Sequence, residues 1–142
     1  MDNNLIIISD KDEEFSKELE EMLNDNGYDT LSFTKSEKAL KAADKLKPHI
    51  MLFDVHINGE FAIKYANKLE HLSKKHKIYI VALAAFCDNS NCQLMKEKTG
   101  IKDCLIKPIK PIDILAKIKK IIGVNNEQKS NIDNNQQSTQ TF

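Results

Sequence analysis

The residues of this chain able to do chemistry sit at the ends of short apolar runs. Asp10, Lys11 and Asp12 follow Leu5–Ser9, Asp54 ends His49–Asp54, and Lys107-Pro108 follows Asp103–Ile106. Acidic and basic groups thus converge on one edge, where an ammonium can neutralise a carboxylate in an internal ion pair. At an effective dielectric of about 20, an ammonium ~4 Å from a carboxylate gains ~4 kcal/mol of gross Coulomb attraction before desolvation. Every basic residue is Lys, so a phosphate contact must come from an ammonium or a backbone N–H, never from a forked guanidinium. Asp after a strand is also a common helix N-cap, a structural use that suits Asp12. Cys87, Cys92 and Cys104 lack C-x-x-C spacing and read as reduced thiols.

These positions call for a scaffold of alternating strands and helices. Leu5–Ser9 suits burial on both faces of a parallel sheet, and Glu14–Asn24 carries Phe15, Leu19, Met22 and Leu23 at helical spacing. Asn26-Gly27 supplies a left-handed cap, Tyr28–Phe33 reads as the second strand, and Thr34-Lys35-Ser36-Glu37 reads as a capping box opening a helix to about Lys45. His49–Asp54 is the third strand, a helix runs from Gly59 to about Lys75, and Ile78–Ala84 is the fourth strand. Ser90–Lys98 is a weaker helix ended by Gly100, and Asp103–Ile106 is the fifth strand. Pro111 opens a last helix with Ile112, Leu115, Ile118, Ile121 and Ile122 on one face, stopping at Gly123. The pattern predicts an α/β fold, a doubly wound five-stranded parallel sheet flanked by five helices, with ligand chemistry at the carboxyl ends of the strands. Beyond Val124 the sequence turns to Asn, Gln, Ser and Thr, so the expected organisation is one domain over 1–123 and a disordered polar tail over 124–142.

A chain of 142 residues is long enough to bury a core without a disulfide or metal staple. Its 21 basic and 21 acidic side chains cancel, which leaves no field to draw in nucleic acid or an anionic membrane. The apolar runs fall far short of the ~20 residues a membrane span needs, and the start lacks a basic signal region, so the cytoplasm is the expected location.

From Asn4 to about Gly123 the chain resembles the receiver domains of two-component response regulators, whose chemotaxis member is the prototype. Four features carry the resemblance: the acidic cluster after the first strand, the lone Asp54 ending the third, Gly100-Ile101-Lys102-Asp103 leading into the fifth, and the Lys-Pro pair of Ile106-Lys107-Pro108-Ile109. The family normally joins that last pair by a cis peptide bond. The resemblance implies flavodoxin-like topology, Asp54 as phosphoacceptor and Lys107 as the lysine that contacts the phosphoryl group. It also implies a Mg²⁺ site made by Asp10, Asp54 and the backbone carbonyl of His56.

Several positions depart from the family pattern. The second of the family's paired acids falls on Lys11, with Asp12 as the remaining acid able to swing in. The Thr or Ser that hydrogen-bonds the phosphoryl oxygen falls on Ala84, and the aromatic switch residue falls on Cys104. The loop Asp54-Val55-His56-Ile57-Asn58-Gly59 lacks the family's Met-Pro and reaches its Gly early. Lys11 is therefore expected to point at Asp10 and Asp54 in place of a metal, with Mg²⁺ binding weak at best.

Enzyme function is not expected. No Gly-rich turn follows the first strand for a dinucleotide, no aromatics flank it for a flavin, and no His is placed to activate Cys87. The expectation is a stand-alone atypical receiver domain in intracellular signal transduction, working through protein–protein interaction with phosphorylation impaired or absent. The alternative is a working phosphoacceptor, a single-domain response regulator phosphorylated on Asp54 by a histidine kinase. Either way the expected partner is a protein, a histidine kinase or a downstream signalling protein, met across the Lys-rich face of the fourth helix, fifth strand and fifth helix.

Overall fold

A computed structural model describes residues 4–55, 64–85 and 89–123, the side chains of 89–92 excepted. Its elements are β1 (Leu5–Ser9), α1 (Glu13–Asp25), β2 (Asp29–Phe33), α2 (Ser36–Leu46), β3 (Ile50–Val55), α3 (Ala66–Lys74), β4 (Tyr79–Ala84), α4 (Asn89–Thr99), β5 (Asp103–Ile106) and α5 (111–123). All strand pairings are parallel, in the order β2-β1-β3-β4-β5. The expected α/β architecture of five parallel strands with five helices is present, and most element ends fall within a residue or two of the reading. The opening of the third helix at Gly59 and the tail over 124–142 lie outside the described residues. No helix among the described residues is long and apolar enough to cross a membrane.

The unit Met1–Pro111 holds the sheet and the first four helices, and Ile112–Phe142 holds α5 apart from Pro111. Within the first unit, one sheet face carries Ile7, Met51, Phe53, Ile80 and Ala82, packed with Ala39, Leu40 and Ala43 of α2, Leu69 and Leu72 of α3, and Met95 of α4. The alternate residues Ile6, Ile8, Ile50, Leu52, Val81 and Leu83 point the other way and are also fully buried. Burial on both sides explains why these strands are nearly continuous apolar runs. Within α5, Ile114, Leu115, Ile118, Ile121 and Ile122 form the buried stripe, while Ile112, assigned to that stripe from spacing, is 54% exposed.

Local signals hold at most helix ends. Asp12 caps α1, its carboxylate accepting from the Phe15 N–H at 3.0 Å. Gly27 and Gly100 both take positive φ after their helices. The capping box at Thr34 does not form: α2 is capped at Lys35 with no side-chain cap hydrogen bond. Thr34 sits one residue too early, because β2 runs to Phe33 and two bent residues precede the helix.

Gly100 carries the first prediction. At φ +78 a Cβ would stand 2.8 Å from both Cβ and Oγ of Ser73, whose hydroxyl donates to the Gly100 carbonyl at 3.1 Å. Left-handed strain and this clash together predict that Gly100→Ala loses about 2 kcal/mol, seen as a lower urea midpoint at unchanged m-value.

A second prediction concerns the first residues of β4 and β5. Tyr79 donates to Asp103 Oδ2 at 2.5 Å. Burial, then the hydrogen bond and charge of Asp103, push the phenol up to about 12. Because the folded value lies above the unfolded one, this stabilisation is complete below about pH 10 and is lost as pH rises toward the folded value. The tyrosinate absorbance that distinguishes the parent from Tyr79→Phe should therefore titrate near 12.

Candidate functional site

Strand register brings the chemical residues together. β1 has β2 on one side and β3 on the other, so the chain reverses its winding there and a crevice opens at the carboxyl ends of the strands. Ile8 is level with Leu52, Asp54 with Leu83, and Leu83 with Leu105. Side chains repeat their side of the sheet every second residue, so Asp10, Asp54 and Lys107 all fall on the side of Ile8, Leu52 and Leu105. The Lys107–Pro108 peptide bond is cis.

Lys107 Nζ donates to Asp10 Oδ2 at 2.8 Å and to Asp54 Oδ1 at 3.1 Å. The side chains of Asp10 and Asp54 are 1% and 11% exposed, and that of Lys107 is 26% exposed. The other Asp10 oxygen accepts the Asp12 N–H at 2.9 Å, which pins the turn into α1. The ammonium also lies 5.6 Å from the centre of the Phe15 ring. Burial pulls Lys107 down, but the hydrogen bond and charge of Asp10, then those of Asp54, outweigh it and hold the ammonium above the usual lysine range.

Lys11 is not the ion-pair partner expected of it. It is exposed, and the cation between the two carboxylates is Lys107. The reason is local: Asp10 points into the sheet edge, its carboxylate holds the Asp12 N–H, and Lys11 is left at the outer bend of the turn. Asp12 is engaged as the α1 cap, on the rim rather than swung inward. Ala84 is fully buried at the end of β4 and brings no hydroxyl. Cys104 is a half-buried free thiol beside the core, and burial pushes its pKa up. His56 lies outside the described residues.

A cavity of 290 Å³ opens over Asp10 and Asp54, bordered by Lys11, Lys35, Lys64 and Tyr65. Sequence reasoning missed Lys64 and Tyr65. Tyr65 is buried edge-on to Phe53, with ring centroids 6.3 Å apart, and Lys64 Nζ lies 5.5 Å from the centre of its ring. The available signal was the spacing of Tyr65, Leu69 and Leu72 along one helical face.

Asp10 and Asp54 are the oxygen donors that a hard cation would use. Mg²⁺ demands near-octahedral oxygen ligands, yet both Asp10 oxygens are engaged, one Asp54 oxygen faces an ammonium, and Lys11 adds a positive rim. Among the described residues, the two carboxylates at this edge are held by the Lys107 ammonium. The arrangement makes a carboxylate at a strand end, clamped by an ammonium and reachable from an open cavity.

The profile of the response regulator receiver domain matches residues 6–119. Among relatives, the chain is 24% identical over 120 residues to the alkaline phosphatase synthesis transcriptional regulatory protein PhoP of Bacillus subtilis, covering 84% of this chain and 49% of that protein. It is 28% identical over 123 residues to the DNA-binding response regulator MtrA of Mycobacterium tuberculosis, covering 87% of this chain and 52% of the other. The chain thus spans about half the length of these curated relatives. A solved CheY-like response regulator receiver domain protein from Methanospirillum hungatei superposes with a TM-score of 0.74 at 19% identity, covering 89% of this chain and 99% of that one. A signal receiver domain from Bermanella marisrubri gives 0.70 at 17% identity, covering 85% and 99%. At such identities the solved structures speak for the fold, while the profile spans most of the sequence and covers the whole clamp from Asp10 to Lys107. This chain therefore belongs to the response regulator receiver domain family, the signalling module of two-component systems.

Proposed function

We propose that this receiver acts in intracellular signal transduction through protein–protein contacts and that phosphorylation of Asp54 is impaired. The observation that carries the reading is the Lys107 clamp on Asp10 and Asp54, with a cation at position 11 and no hydroxyl at position 84. Receiver domains use Mg²⁺ for phosphorylation, because phosphoryl transfer to a carboxylate concentrates negative charge at a site already negative. Here Lys107 is the one group of the clamp able to donate to an incoming phosphoryl oxygen, and it is shared between two carboxylates. Ala84 removes a second donor, and loss of one such donor typically slows a reaction by ~10²–10³-fold.

Protein partners are supported by apolar side chains left in solvent. Leu94 on α4 is 43% exposed and Ile106 on β5 is 46% exposed. A histidine kinase or a downstream signalling protein is the partner class this reading implies.

The test is exposure to a small phosphodonor with millimolar Mg²⁺, followed by intact-mass measurement. The parent should gain little or no phosphoryl adduct over a time in which a conventional receiver is saturated. Rapid, stoichiometric labelling abolished by Asp54→Asn would instead establish the phosphoacceptor reading, with a histidine kinase as donor.

A further inference from the structure

Away from the clamp, α2 and the far end of α3 bring together three side chains that two-component chemistry does not use. Asp44 lies in the last turn of α2, His71 on α3, and His76 in the turn after α3. His76 Nε2 lies 3.0 Å from Asp44 Oδ1 and His71 Nε2 lies 3.3 Å from the same oxygen. The two imidazoles stand edge to face, with centroids 5.0 Å apart. One ligand atom from each residue falls within 4.8 Å of the others, and no other such group of His, Cys, Asp and Glu occurs among the described residues.

We propose that Asp44, His71 and His76 form a binding site for a divalent transition-metal ion of the zinc class. Bonds of about 2.0–2.2 Å from imidazole nitrogen and carboxylate oxygen place tetrahedral donors about 3.3 Å apart, close to the spacing from Asp44 to each ring. Two nitrogens and one oxygen select Zn²⁺, Ni²⁺ or Co²⁺ over the oxygen-seeking Mg²⁺ and Ca²⁺. Asp44 and His71 also line a cavity of 560 Å³, through which a further ligand would reach the ion. Lys38, Lys41 and Lys68 border that cavity with Glu37, so the charge field does not favour a dication and coordination must supply the affinity. An ion there would tie α2 to the turn between α3 and β4. His76 is only 14% exposed, which leaves it few orientations besides the one facing Asp44.

The test is calorimetric titration of the chelator-treated protein with Zn²⁺ in excess Mg²⁺, together with the absorption spectrum of its Co²⁺ complex. One equivalent should bind, and Asp44→Asn, His71→Ala and His76→Ala should each weaken binding at least about tenfold, while His49→Gln leaves it unchanged. His71 is 46% exposed, so its variant keeps the fold, which circular dichroism and a metal-free melt verify. The Co²⁺ complex should show ligand-field bands without a thiolate charge-transfer band. No saturable binding, binding indifferent to all three substitutions, or a thiolate band that moves the ion to a cysteine would overturn the proposal.

Discussion

Replacing Lys107 with Ala will destabilise the protein by about 3–5 kcal/mol, a large share of the stability of an ordinary domain. The loss comes chiefly from what is left behind. Asp10 and Asp54 are nearly buried, and removing Nζ takes away the ammonium that both carboxylates share. Ordinary surface salt bridges contribute about 0–1 kcal/mol, but here one ammonium serves two desolvated partners. Adding Asp54→Asn to Lys107→Ala should recover part of the loss, because the second substitution removes one of the two charges that shared the ammonium. Urea melts of the four proteins in this cycle give the coupling directly, and simple additivity would rule the clamp out. Lys11→Ala, by contrast, should change stability by no more than ~0.5 kcal/mol, since Lys11 is exposed and Lys107 already does the neutralising. The pH dependence has a definite sign. The folded ammonium is held above its unfolded value, so its contribution is complete below about pH 10 and disappears as pH rises through the folded value. The gap between parent and Lys107→Ala should be flat through neutral pH and close only in strong alkali.

The centre of the fold was readable because β1, β3 and β4 are short apolar runs, a pattern that burial on both faces imposes. The edge strand Asp103–Ile106 was readable from its punctuation instead: Gly100 ends one element, the Lys-Pro pair ends the next, and the strand between them matches the reading residue for residue. The clamp was half readable. Strand alternation predicts that Asp10, Asp54 and Lys107 meet, since only parity and register are needed. Which cation turns inward is decided by the β1–α1 turn, where one backbone N–H bound to Asp10 sends Lys11 outward. That choice has no periodic signature. The same holds for Asp44, His71 and His76, where His76 is five residues past His71 and beyond the helix end, so no helical spacing links them. Only packing of α2 against α3 brings them together.

Lys11→Asp should give the clamp a metal response that the parent lacks. The substitution removes a cation from the rim of the cavity, breaks no ion pair, and adds a carboxylate to the rim of the cavity that Asp10 and Asp54 line. Mg²⁺ at ~100 times its dissociation constant would then stabilise the variant by ~2.7 kcal/mol, a rise in melting temperature on the order of 8 °C for a chain of this size. The parent's melting temperature should stay nearly constant over the same titration. Phosphorylation of Lys11→Asp should remain slow, because a restored carboxylate supplies no donor to the transferred group while position 84 is Ala. Adding Ala84→Ser should then raise the rate of labelling by ~10²-fold, the effect of restoring one aligned donor to the developing charge. The double variant separates the two defects. A parent melting temperature that rises with Mg²⁺ as much as the variant's would mean that Lys11 does not oppose the ion. Fast labelling of Lys11→Asp alone would mean that the hydroxyl missing at position 84 was never limiting.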